Sequence, residues 1–124
     1  MRIKFLFVIT AVLSFVNGLF YLLAPEISLS LLGQTTNEIG IMNTRYFGAA
    51  ALGIATITWL ARNVQSFQFQ RIVALGMLIT LGATAVVGFI GTLSGVVNQV
   101  GWLMVGTDTI LSLGFLLHLV NTKV

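Results

Sequence analysis

Asp108 is the residue with the strongest claim to chemistry. It is the only acid after Glu38, and it sits inside an otherwise apolar run from Val100 to Val120. If that run crosses a bilayer, Asp108 lies about 8 residues, or roughly 12 Å, from its start, close to mid-membrane. A charge there costs about 2.5–3.5 kcal/mol on insertion scales. Such residues usually face the interior of a bundle and have partners. Arg45 lies near the same end of an earlier apolar run, and its long side chain can snorkel to the surface or reach inward. Asn17 lies in the corresponding half of the first run. Asn17, Arg45 and Asp108 therefore form an expected intramembrane polar cluster. Three chemistries remain open for it: a structural Asp108–Arg45 latch with amide support, a pocket for a solute or ion, and a proton-relay acid. Two titratable groups do not make a catalytic site without a nucleophile or metal, so no enzyme is expected.

The other reactive residue types add little. His118 reads as a hydrogen-bonding histidine at the membrane edge; as a haem ligand it lacks a matching second histidine. The chain has no cysteine, one histidine and three scattered carboxylates, which argues against a metal site. No phosphate-binding loop or nucleophile triad is present, and no cofactor is expected. Tyr21, Tyr46 and Trp102 suit one interfacial aromatic belt, and Trp59, Phe67 and Phe69 the other.

The elements that must position these residues follow from gaps between charges. Phe5 to Ala24 is free of charge over 20 residues, and Ile72 to Thr107 over 36. A bilayer core of about 30 Å needs roughly 20 apolar residues in a helix. The spacing predicts spans over about 3–24, 41–61, 71–93 and 100–120. Pro25 breaks the first, because proline has no amide donor and restricts the residue before it. A short amphipathic helix from Pro25 to Gly33 is expected in the interface plane. Residues 34–40 read as a polar loop, and 62–70 and 94–99 as turns. The expected fold is all-α: one transmembrane four-helix domain over 1–124, antiparallel up-down, with the short interfacial helix after the first span.

A hydrophobic share of 57% with 7% charged residues is far from a soluble composition, where about 25% are charged. The formal charge of +3 comes from basic residues scattered at helix ends, which excludes a nucleic-acid surface. With four spans, Arg2, Lys4, Arg62, Arg71 and Lys123 all fall on one side. The other side holds Glu26 and Glu38, with Arg45 the exception. The positive-inside rule then places both termini in the cytoplasm, in a membrane read as the bacterial inner membrane. The apolar run after Lys4 is longer than the usual signal-peptide core of about 7–15 residues, so it is expected to be a retained span.

Small residues recur at helical spacing. Ala49 and Gly53, Thr84 and Gly88, and Gly91 and Gly95 are each four apart, which suits close helix approach in a membrane. Ala49, Gly53, Gly88, Gly91 and Gly95 are therefore expected packing sites, within the bundle or against a second chain.

Leu22-Leu23-Ala24-Pro25-Glu26 with Leu32-Gly33, Arg45-Tyr46-Phe47-Gly48-Ala49-Ala50-Ala51-Leu52-Gly53, and Gly101-Trp102 with Asp108 resemble the pattern of small bacterial four-span membrane proteins of unknown function. That resemblance covers nearly the whole chain and implies no activity. Small multidrug-resistance transporters would have a membrane glutamate in the first span, where this chain has only Asn17. The glutamate–arginine pattern of four-span glutathione-handling enzymes is also missing. The expected function is that of an accessory or assembly subunit of a larger membrane complex, with the lipid bilayer, other subunits or a second copy as partners. The alternative is a small oligomeric transporter or channel using Asp108 and Arg45.

Overall fold

Pro25 splits the N-terminal apolar stretch into two helices. In the computed structural model, which describes residues 2–122, α1 runs over Ile3–Leu23 and α2 over Pro25–Leu31, with the proline in the first turn of α2. α3 follows at Glu38–Ala61, α4 at Phe67–Leu93 and α5 at Val100–Asn121. Among the described residues there is no strand.

Local capping chemistry sets the ends. α2 stops at Gly33, which takes a φ of +72°. Its N–H donates to the Ser30 carbonyl and that of Gln34 to the Leu29 carbonyl, the paired bonds of a Schellman turn. The Asn37 side chain accepts from the Gly40 N–H, so α3 begins at Glu38, three residues before the expected start. Ser66 accepts from the Phe69 N–H in the same way, and α4 takes in residues 67–70, expected as turn. The Asn98 side-chain Oδ1 accepts from the Val100 N–H where α5 starts. At the far end of α5, the Arg71 guanidinium of α4 donates to the Leu119 and Thr122 carbonyls. It thereby places a cation at the negative end of that helix.

The helices pack as two antiparallel pairs, α1 with α3 and α4 with α5. α1 and α3 meet most closely at Gly18 and Gly48. A methyl group added at Gly48 would lie 2.7 Å from the Leu22 nitrogen and 2.8 Å from the Gly18 oxygen. The buried face of α3 is Gly48, Ala51, Ala55, Thr58 and Ala61, all small or medium side chains at three- and four-residue spacing. Small side chains let the two backbones approach in this way. The pairs join at the end that carries the basic residues. There Leu6 and Phe7 of α1, Ala61 of α3, Val73, Ala74 and Met77 of α4, and Leu111 and Phe115 of α5 form one apolar cluster. The Phe7 and Phe115 rings sit 5.8 Å apart. At the opposite end α2 is tied to the α4–α5 turn. The Asn98 N–H donates to the Leu32 carbonyl, Asn98 Nδ2 to the Leu31 carbonyl, and Gln34 Nε2 to the Val96 carbonyl.

α1, α4 and α5 are each long and apolar enough to cross a membrane. The four spans expected from the sequence thus reduce to three by composition. At 24 residues α3 has the length, but Glu38, Asn43 and Arg45 in its first turns dilute its apolarity. Outward-facing residues on the three apolar helices, such as Leu23, Val87 and Leu103, are more than two-thirds exposed. An exterior this apolar suits lipid rather than water.

Candidate binding cleft

Two tightly packed pairs joined at one end leave a space between them. The cleft measures about 670 Å³ and runs from the apolar cluster, at Leu81 and Leu111, to Leu32 and Val97 beneath the α2 tie. Its rim residues Asn17, Ala50, Ala83, Val87 and Leu103 are exposed, so it opens sideways between the pairs. Its walls are mainly apolar, with a scatter of hydroxyls, one amide, one phenol and one carboxylate.

Asp108 supplies the carboxylate. Its Oδ2 accepts from the Thr84 hydroxyl at 2.9 Å, across the α4–α5 interface. The same hydroxyl lies 3.0 Å from the Leu81 carbonyl, so one proton serves two acceptors. A carboxylate has about four acceptor sites, and among the described residues this one receives only that shared bond. Asn17 and Tyr21 of α1 line the facing wall, together with Phe47 of α3. The Tyr21 and Phe47 rings make an edge-to-face pair with centroids 5.3 Å apart.

Several hydroxyls in the long helices satisfy themselves locally. Thr44, Thr56, Thr58, Thr92 and Thr107 each donate to the carbonyl four residues back. That pattern suits a segment with no water beside it. Thr10 departs from it. It lines the cleft, is almost wholly buried, and its Oγ1 has no partner among the described residues.

Asn17 and Asp108, two of the three residues expected to cluster, therefore share the cleft. Arg45 does not join them. It is exposed on α3 and lines no part of the cleft, so the Asp108 side chain bonds to Thr84 where an Arg45 partner was expected. The depth of the two residues allowed the pair, but depth does not fix the direction in which a residue projects from its helix. The packing residues divide in the same way. Gly88 and Gly91 lie inside the α4–α5 hairpin, where added methyl groups would stand 3.1 Å from Val105 and 3.3 Å from Val97. Ala49 and Gly53 face outward, with nothing within 4 Å of a methyl group at Gly53. Gly95 is a turn residue with φ +85°, and nothing among the described residues lies within 4 Å of a methyl group added there. The sequence reading missed Gly18, Gly48, Tyr21 and Thr84. Gly18 and Gly48 belong to different helices, so their approach is visible only once α1 and α3 are paired, as the link from Thr84 to Asp108 is visible only once α4 and α5 are. His118 lies in the last turn of α5, away from the cleft lining, and its Nε2 is buried without a partner among the described residues.

No curated protein and no solved structure is significantly similar to the chain. A family model matches it from end to end, so that over residues 1–124 it belongs to the family described as Domain of unknown function (DUF8292).

Proposed function

We propose that this is a four-span, non-enzymatic membrane protein that holds a small amphiphilic molecule in the cleft between its two helix pairs. α3 is the fourth span in this reading, with Glu38 and Arg45 at its outer end. The basic helix ends face the cytoplasm of a bacterial cell. The observation that carries the proposal is the cleft itself: about 670 Å³, mainly apolar, with Asp108 and Asn17 in its wall. Protein interiors are otherwise close-packed, and the cavities that stay empty are apolar ones. The volume lies in the range of about 300–1,000 Å³ usual for small-molecule sites. The sideways opening suits a guest that enters from the bilayer.

This reading is closer to the transporter alternative than to the accessory subunit, since a scaffold has no need of an open space with a carboxylate in its wall. One observation favours a subunit role beside it. Ala49 and Gly53 form an exposed small-residue strip on the outside of α3, and nothing among the described residues lies within 4 Å of a methyl group at Gly53. Packing against another membrane helix would use that strip.

The test is native mass spectrometry on protein extracted in a mild uncharged detergent. The chain should carry one small molecule, and Ala83→Phe, which fills the cleft wall, should release it while leaving the protein folded. A chain that carries no guest, or one whose guest is unaffected by Ala83→Phe, would overturn the proposal.

A further inference from the structure

Taking the cleft as a binding site, the chemistry of its wall restricts the guest further. Among the described residues, Asp108 is the only charged one that lines it. Its carboxylate receives one shared hydrogen bond and has acceptor sites left over. No arginine joins it, because Arg45 is exposed on α3 and outside the lining. Tyr21 and Phe47 stand on the facing wall as an edge-to-face pair. A carboxylate short of donors and faced by aromatic rings recognises a cation. The carboxylate supplies charge and accepts N–H donors, and the ring faces attract positive charge. The remaining wall is apolar and would take an uncharged body.

We infer that the guest is a lipophilic amine, with a single ammonium group held between Asp108 and the Tyr21–Phe47 pair and an apolar body filling the rest of the cleft. An anionic amphiphile is disfavoured, since its charge would meet the Asp108 carboxylate with no cation to offset it. A neutral alcohol can donate one O–H to the carboxylate but brings no charge to balance it, whereas an ammonium brings both donors and charge.

The test uses three probes of equal chain length: decylammonium, decanol and decanoate. Each is titrated into the purified full chain in a maltoside detergent, with binding read by calorimetry and by the shift in thermal unfolding. Decylammonium should bind one per chain, about tenfold or more tighter than decanol, as expected for one charge-assisted hydrogen bond. Decanoate should bind weakest. The formal charge of +3 makes this order informative, because attraction to the chain as a whole would favour decanoate. Asp108→Asn should remove most of the advantage of decylammonium over decanol, leaving only the part that the Tyr21–Phe47 pair supplies. Tyr21→Leu should weaken decylammonium selectively. Equal binding of amine and alcohol by the wild-type protein would overturn the inference and leave the cleft as a site for neutral guests. If none of the three binds, the cleft reading fails with it. A preference for the amine that is undiminished in Asp108→Asn would also overturn it. Should that variant not fold, the order of the three probes on the wild-type chain decides alone.

Discussion

Gly48 and Gly53 lie five residues apart on one helix and should respond in opposite ways to the same substitution. In Gly48→Ala the new methyl group would start 2.7 Å from the Leu22 nitrogen and 2.8 Å from the Gly18 oxygen. Both are backbone atoms, so no side chain can rotate away. Relief requires α1 and α3 to move apart by several tenths of an ångström, which loosens their whole contact. Overpacking of this kind costs about 1–3 kcal/mol. In Gly53→Ala nothing lies within 4 Å of the new methyl group. There the change should add only the helix preference of alanine over glycine, about 0.8–1 kcal/mol in favour. Gly48→Ala gains the same preference, so the two variants should differ by the overpacking alone, roughly 1–3 kcal/mol in unfolding free energy. Reversible unfolding in mixed micelles, followed by circular dichroism, measures that difference. Equal stability of the two would refute the Gly18–Gly48 crossing as the contact that holds the first pair.

Other consequences follow from single contacts. Gly95→Ala should cost about 1–2 kcal/mol, because φ at +85° disfavours any side chain although space is open there; thermal unfolding checks it. Arg71→Met removes the donor to the Leu119 and Thr122 carbonyls and should speed hydrogen exchange over the last turn of α5, with a loss of about 1–3 kcal/mol. Reporter fusions near Asn37 should read as external and near Gln65 as cytoplasmic; a shared location would remove α3 as a span.

Much of the fold was legible in the sequence because it rests on local signals. Pro25 and Gly33 bound the short helix, and gaps between charges mark α1, α4 and α5. The start of α3 was misjudged by three residues because Asn37 looked like loop material, and its side chain is a helix cap. The pairing of helices was less legible. In a chain this rich in glycine and alanine, four-residue spacing selects Ala49–Gly53 as readily as the true face at Gly48, Ala51 and Ala55. One position along a helix is about 100° of rotation, enough to turn a packed residue outward. The same geometry explains Arg45. Its depth matches Asp108, but its direction does not. Asp108 and Asn17 could be found by depth alone because both project into the space between the pairs.

The central claim is that this space is open to a guest beside Asp108. The chain has no cysteine, so single thiols report without background. Thr80 lines the cleft and is half-buried, whereas Thr58 is fully buried in α3. The direct measurement is the rate at which N-ethylmaleimide labels Thr80→Cys and Thr58→Cys in a mild uncharged detergent, with and without decylammonium. Thr80→Cys should react readily and be protected by the amine, while Thr58→Cys stays inert. A Thr80→Cys thiol as unreactive as Thr58→Cys, or one indifferent to the amine, would contradict the account.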